Sequence, residues 1–108
     1  MADDYRNKRW YKHMADIDRE IVHHAVLCKV PLLDPGVIER VLKNDRSVCG
    51  SDNQRSFEKL RSLLMMHYSA RDRAVVAIGE AETLAMVKDI VERLRARVGD
   101  KLGGAPAA

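Results

Sequence analysis

The amino-acid sequence predicts an all-α protein, a compact four-helix bundle, on the basis of three observations. Apolar residues recur every three or four positions over most of the chain, which places them on one face of a helix. Glycine, proline and asparagine separate these periodic segments at positions where helices end. No segment shows the two-residue alternation of a β-strand. We therefore expect one helical domain over residues 1–102 and a flexible tail over residues 103–108.

The first predicted helix covers residues 4–29 and has one apolar face. Asp4 favours the positive N-terminal end of the helix dipole, and Pro31 ends the helix because it has no amide hydrogen to donate. Residues three or four apart build the apolar face: Trp10, Met14, Ile17, Ile21, Ala25 and Cys28.

The second predicted helix is shorter and covers residues 35–43. Asp34 is the expected N-cap, and Pro35 is the expected first residue, where its missing N–H group costs little. A loop rich in Asn, Asp and Ser follows over residues 44–50.

A capping box predicts the start of the third helix, which continues to residue 78. In this box Ser51 and Gln54 satisfy each other's backbone amides, with Asp52 as an alternative cap. Gly79 is the expected left-handed C-cap and turn, so that the next helix returns antiparallel to the third. The alternative is one long helix that tolerates Gly79 at a cost of about 1 kcal/mol.

The fourth predicted helix ends at Gly99 and contributes a second apolar stripe to the core. Its stripe consists of Leu84, Val87, Val91, Leu94 and Val98. The core predicted from all four helices contains Trp10, Ile17, Ile21, Phe57, Leu60, Leu64, Leu84, Val91 and Leu94.

The composition excludes several classes of protein. The 108 residues are 46% apolar and 32% charged with a net charge of +3, which is typical of a soluble globular domain with a mixed surface. No apolar run approaches the roughly 20 residues of a membrane span, so we expect no membrane partner. Two cysteines are too few for a disulfide framework, which favours reduced thiols and a cytoplasmic location. The sequence lacks nucleophile-elbow, phosphate-loop and dinucleotide-binding motifs, so we expect neither an enzyme nor a cofactor.

The function that the sequence favours is a protein-interaction module, such as a regulator, an adaptor or an accessory subunit. The stretch that ends in Met65 and Met66 is apolar on nearly every side of the third helix, and methionine adapts to different apolar partners. We expect Met65, Met66 and Tyr68 to contact a protein partner, which includes a second copy of the chain in a homodimer.

Nucleic-acid binding is the first alternative, although the sequence favours it less. Residues 5–12 interleave cations, which neutralise phosphates, with aromatic rings, which stack on bases. Acidic neighbours such as Asp89, four residues before Arg93, are also typical of an ordinary solvated helix face. The cationic candidates are Arg6, Lys8, Arg9, Lys12, Arg95 and Arg97.

A metal-binding helical bundle is the second alternative. His24, Cys28, Cys49 and His67 provide the ligand types of a Cys2His2 zinc site. The usual Cys-x-x-Cys step is missing, so a core role for Cys28 and a boundary role for His24 are favoured. Cys49 also precedes a predicted helix N-terminus, where a thiol can become reactive, but no partner base lies beside it in the sequence.

Overall fold

The computed structural model describes residues 8–103, apart from the side chain of Asp100, and these residues confirm the all-α class. They form four α-helices: α1 (Arg9–Cys28), α2 (Val37–Leu42), α3 (Gln54–Ile78) and α4 (Glu80–Val98). Two short 3-10 turns cover Arg46–Val48 and Gly99–Leu102, and no strand occurs within residues 8–103.

Two predictions lie partly outside the described residues, namely the start of the first helix over residues 4–7 and most of the tail, residues 104–108. Within the described part of the chain, none of the helices combines the length and the hydropathy that crossing a membrane requires.

The C-terminus of α1 confirms the predicted end of the first helix. Lys29 adopts a left-handed conformation with φ of 55°. Its N–H donates to the carbonyl oxygen of Val26, and the N–H of Val30 donates to that of Ala25. This pair of hydrogen bonds is a Schellman motif, which satisfies the last carbonyls of α1 before Pro31.

The predicted caps of the second and third helices are wrong. Gly36, with φ of +78°, stands between Asp34 and the helix, so α2 begins at Val37. The N-cap of α3 is Asn53, whose side-chain oxygen accepts from the N–H of Ser56 at 3.1 Å.

The two predicted capping-box residues of α3 are engaged elsewhere. The Ser51 hydroxyl donates to the carbonyl oxygen of Leu27 at 3.1 Å, and the Gln54 side chain accepts from Arg46 at 2.6 Å. Contacts with distant segments therefore override the local capping pattern.

Gly79 separates α3 from α4, as the sequence predicts. Its φ of 87° and ψ of 164° lie in a region that is open almost only to glycine, rather than in the left-handed helical region that we expected. Its carbonyl oxygen accepts from both the N–H of Thr83 at 3.1 Å and the Thr83 hydroxyl at 2.7 Å. These bonds fix the first turn of α4 directly after the glycine.

The core lies chiefly between α1 and α3, which share the most extensive contact of any two helices. The predicted core residues Ile17, Ile21, Phe57, Leu60 and Leu64 are buried there. Other fully buried side chains in this part of the molecule are Met14, Ala25, Cys28 and Ala74.

The predicted apolar stripe of the fourth helix does not face the core. Leu84 is 45% exposed, whereas α4 buries Thr83, Met86 and Ile90. The helix is rotated so that the rest of the predicted stripe is only partly buried. The predicted core residues Trp10 and Leu94 pack against the edge of the core rather than within it, and Val91 is only partly buried.

Candidate functional site

A cavity of about 160 Å³ lies where α1, α3 and α4 meet, and it is our candidate site. Most of its lining is aliphatic and comes from all three helices, from the segment between α1 and α2, from Ile38 and from the last 3-10 turn. The aliphatic residues are Ile21, Val22, Leu32, Leu33, Ile38, Leu64, Val87, Val91, Leu94 and Leu102. The polar lining residues are Asp18, His67, Tyr68 and Arg71.

The rotation of α4 explains why the cavity exists. Thr83, Met86 and Ile90 fill the contact with the core, so the predicted stripe residues Val87, Val91 and Leu94 turn toward the cavity instead.

Asp18 of α1 and His67 of α3 form a buried pair at the wall of the cavity. Asp18 Oδ1 lies 2.6 Å from His67 Nδ1. Because a carboxylate only accepts hydrogen bonds, the imidazole Nδ1–H is the donor. Both residues are more than nine-tenths buried, with 4% and 8% of their surface exposed. The bond therefore fixes both side chains and links α1 to α3 inside the apolar region.

The second carboxylate oxygen of Asp18, Oδ2, has no hydrogen-bond partner although it is buried. An unsatisfied polar group of this kind destabilises a folded protein by about 1–3 kcal/mol. Such groups are rare in native proteins, and each calls for a physical explanation. Here the oxygen belongs to a residue that lines a cavity, so a rotation of the Asp18 carboxylate would bring Oδ2 to a donor inside the cavity.

Tyr68 and Arg71 complete the polar side of the cavity. The Tyr68 ring meets the His67 ring edge-on with 5.3 Å between centroids. The Arg71 guanidinium lies 6.0 Å from the centroid of the Tyr68 ring. Tyr68 is 38% exposed, so this end of the cavity is the one that solvent reaches.

The structure separates the three residues that we predicted to contact a protein partner. Met65 and Met66 are exposed on the outer side of α3, where both line a shallow groove with His13 and Arg73. Tyr68 lies at the cavity instead. The four-residue apolar run of α3 is thus divided, because Leu63 and Leu64 are buried while the two methionines are not.

The described residues that were predicted to contact nucleic acid lie in two places, at the start of α1 and in the C-terminal part of α4. Lys8, Arg9 and Lys12 are exposed at the start of α1, and Arg6 lies outside the described residues. Arg97 is exposed and lines a groove that Tyr11 also lines, whereas Arg95 is only partly exposed.

Two arginines that line this same groove are already neutralised by neighbours. Arg93 pairs with Asp89 at 3.2 Å, and Arg19 pairs with Asp16. These contacts weaken the electrostatic argument for nucleic acid, since a phosphate would have to compete with carboxylates already in place.

The four residues of the predicted zinc site are not assembled. His67 is bonded to Asp18, and His24 Nδ1 lies 3.3 Å from the Ser56 hydroxyl. Burial, followed by the neighbouring His23, lowers the pKa of His24. Cys28 and Cys49 lie side by side, but within residues 8–103 no three His, Cys, Asp or Glu side chains form a group that could hold a metal ion.

The sequence pattern indicated His67 as a candidate metal ligand, and it gave no prediction for Asp18. A signal was present, because Asp18 follows Met14 by four residues and precedes Ile21 by three, so it lies on the apolar face of the first helix. His67 likewise interrupts the buried face of α3 between Leu64 and Ala70. Two ionisable residues within apolar stripes would have pointed to a buried pair.

Neither the family models, nor the curated proteins, nor the solved structures include a match to this chain.

Proposed function

We propose that this protein binds a small, neutral and mostly apolar molecule that carries one hydroxyl group, and that it does so in the cavity without catalysing a reaction. One observation carries the proposal: Asp18 lines the cavity and has a buried carboxylate oxygen without a hydrogen-bond partner. A hydroxyl group placed beside Asp18 would donate to this oxygen once the carboxylate rotates toward the cavity, and it would relieve the cost of leaving the oxygen unpaired.

The size of the cavity supports a ligand of about one ring. A cavity of about 150 Å³ lined by apolar side chains is known to stay dry and to bind benzene. The cavity here has a similar volume of about 160 Å³ and a mostly aliphatic lining, although it is open to solvent and has a polar side. A phenol-like molecule or a short branched alcohol therefore fits, whereas a nucleotide or a drug-sized molecule does not.

The charges around the cavity support a neutral ligand. Asp18 repels a carboxylate ligand, while Arg71 on the same lining repels an ammonium ligand. A hydroxyl group is compatible with both, because it donates to the Asp18 carboxylate and can accept from a neighbouring N–H group.

Thermal unfolding in the presence of small aromatic probes tests this proposal. Phenol is expected to raise the unfolding midpoint in a concentration-dependent manner, because it binds only the folded state. Benzoate and benzylamine at the same concentration are expected to leave the midpoint unchanged. Absence of a shift with phenol, or an equal shift with the two charged probes, would contradict the proposal.

A matched pair of variants on α4 localises the binding. Val91→Phe places a ring in the cavity and is expected to abolish the phenol shift. Leu84→Phe makes a similar change on the same helix at an exposed position outside the cavity lining, and the shift is expected to persist. A phenol shift that survives in Val91→Phe would place the ligand elsewhere.

As a second candidate we propose the protein-interaction role, with a second copy of this chain as the partner. The observation that favours it is the outer face of α3, where Met65 is 54% and Val76 is 89% exposed. These residues are eleven apart, or about three helical turns, so they lie on the same side of the helix. The polar residues Ser69 and Asp72 lie between them, which is compatible with a modest contact between two copies.

Sedimentation equilibrium tests this second candidate. The wild-type chain is expected to dimerise, and Met65→Glu or Val76→Glu is expected to shift it to monomer. Leu84→Glu, an equivalent change on α4, is expected to leave the dimer intact. A wild-type chain that is monomeric at about 100 μM would exclude an interface of the strength that a stable dimer requires.

We infer further that the four helices form one bundle in which α3 and α4 run antiparallel. Two pairs equidistant in sequence from Gly79, namely Arg71 with Val87 and His67 with Val91, line the same cavity, which supports a hairpin. Spin labels at exposed residues Met66 and Glu92 test it. A hairpin predicts a separation below roughly 20 Å, whereas one continuous helix predicts about 40 Å.

We propose a reducing compartment such as the cytoplasm as the location of the protein. Both Cys28 and Cys49 are free thiols, which is the usual state of cysteines in that compartment. Fluorescence microscopy of the tagged chain in its source cell would test this location.

A further inference from the structure

Cys28 and Cys49 are neighbours in space although they are 21 positions apart in the chain. The Cys49 thiol lies 3.2 Å from the carbonyl oxygen of Cys28 and 2.9 Å from that of Ser51, so it has two alternative acceptors. Cys28 Sγ in turn lies 3.7 Å from the carbonyl oxygen of Asn53. The end of α1 and the loop before α3 thus hold both sulfur atoms in one small region.

The backbone around Gly50 maintains this proximity. The N–H of Gly50 donates to the carbonyl oxygens of Cys28 and Lys29, at 3.0 and 3.1 Å. A Cβ atom at position 50 would lie 2.9 Å from both the Cβ and the carbonyl oxygen of Lys29, which is closer than real contacts allow. Glycine is therefore required for the loop to approach α1, and the residue next to it in the loop is Cys49.

The two thiols differ in accessibility and reactivity. Cys28 is completely buried, whereas Cys49 is partly exposed. Burial, together with the adjacent Cys49 thiol, raises the pKa of Cys28 to about 11. Cys28 is therefore protonated near neutral pH, and an external oxidant would react first at Cys49.

We propose that Cys28 and Cys49 form a reversible intramolecular disulfide when the protein meets a small disulfide oxidant such as oxidised glutathione. The Cys49 thiolate attacks the oxidant, forms a mixed disulfide and releases one glutathione thiolate. The Cys28 sulfur then attacks Cys49 Sγ while its proton passes to the departing glutathione sulfur, which leaves as the second glutathione thiol. Two protein thiols are oxidised, and one glutathione disulfide is reduced to two glutathione thiols.

The cross-link would act on a segment that matters for the cavity. The residues between the two cysteines include Leu32, Leu33 and Ile38, which line the cavity. Joining the ends of this segment removes chain entropy from the unfolded state and holds this wall in place. The disulfide itself does not depend on the ligand proposed above, because both sulfur atoms lie outside the cavity lining.

Redox titration of the full-length protein tests the disulfide. Intact-mass analysis in glutathione buffers of increasing oxidised fraction is expected to show the loss of two hydrogen atoms, and peptide mapping is expected to join residue 28 to residue 49. The unfolding midpoint is expected to rise by roughly 10 °C on oxidation and to return on reduction.

Two single-cysteine variants separate the proposed steps. Cys28→Ser is expected to accumulate a stable glutathione adduct on Cys49, and Cys49→Ser is expected to remain unmodified. Replacing the buried Cys28 can impair folding. Cys49→Ser changes the partly exposed cysteine instead, so it tests the loss of the disulfide without disturbing the core. Free thiols in the wild-type protein at every buffer ratio, a permanent glutathione adduct on wild-type Cys49, or a disulfide between two copies would each overturn the proposal.

Discussion

The two sides of α1 and α3 differ in how completely they are packed. Where these helices meet each other, Met14, Phe57 and Leu60 have at most 1% of their surface exposed. Where they meet α4, only Thr83, Met86 and Ile90 of that helix are buried, and a cavity of about 160 Å³ remains. The packed contact includes the large side chains of Phe57 and Met14, whereas valines and leucines supply most of the α4 side of the cavity.

Under the proposed function, this difference means that stability depends on one helix contact and ligand binding on another within the same small domain. The interior of the contact between α1 and α3 is filled by buried side chains such as Met14, Phe57 and Leu60, and this contact holds the fold. The contact with α4 leaves apolar surface unfilled and places the Asp18–His67 pair beside it. Incomplete packing there lowers stability, which is common where a protein binds a ligand.

The largest expected effect comes from truncation in the packed contact. Phe57→Ala is expected to destabilise the protein by about 4 kcal/mol, since it removes a buried ring and leaves a cavity. Val91→Ala, at the existing cavity, is expected to cost less than about 1.5 kcal/mol because its surroundings are already incomplete. Urea unfolding monitored by circular dichroism measures both values. Equal losses would show that the two regions do not differ in packing.

The next effect concerns the buried pair. His67→Leu is expected to destabilise the protein by about 3 kcal/mol, because it leaves the Asp18 carboxylate buried without a partner. The double variant Asp18→Leu with His67→Leu is expected to recover most of this loss, since two apolar residues need no hydrogen bonds. Urea unfolding of the wild-type protein, the two single variants and the double variant completes this double-mutant cycle. Additive losses would show that the pair is not coupled.

A smaller effect is expected from filling the cavity. Val87→Leu adds one methylene group to the cavity wall and is expected to stabilise the protein by about 0.5–1 kcal/mol. Val76→Leu makes the same change at a position that is 89% exposed and is expected to have no effect. Thermal unfolding distinguishes them. A loss of stability in Val87→Leu would mean that the cavity cannot accept even one more carbon atom.

The smallest expected effect is a pH dependence of the stability that arises from His24, at the edge of the packed contact. Burial lowers the pKa of His24 below its ordinary value of 6.5, so the unfolded chain binds this proton more readily than the folded one. Stability is therefore expected to fall as the pH drops below 6.5 toward the folded-state pKa. His24→Gln is expected to make the profile flatter between pH 7 and pH 5. An unchanged slope in the variant would exclude His24 as a contributor.

The sequence predicted the helices better than their ends, for a physical reason. Helical periodicity is repeated over many residues, so it identified α1 correctly, and the conformational preference of glycine identified the break at Gly79. A helix cap depends on one or two side chains that distant groups can recruit. Ser51 was such a case, since its hydroxyl is bonded to the end of α1 rather than to its own helix.

The candidate site was less accessible to prediction than the fold. Periodicity places Val87 and Val91 on one stripe of α4, but it does not show which of two adjacent stripes meets the core. That choice depends on Thr83, whose hydroxyl is satisfied by Gly79 and which can therefore be buried. The contact between Asp18 and His67 spans 49 positions, a separation that local patterns do not encode.

The relative affinity for phenol and toluene tests the central claim most directly, because the two ligands have the same shape and differ in the hydroxyl group. Calorimetric titration is expected to show that the wild-type protein prefers phenol by about tenfold or more, which is the contribution of one hydrogen bond to a buried carboxylate. Asp18→Asn is expected to lose most of this preference while still binding toluene. Equal affinities in the wild-type protein, or an undiminished preference in Asp18→Asn, would contradict a role for the Asp18 carboxylate in ligand binding.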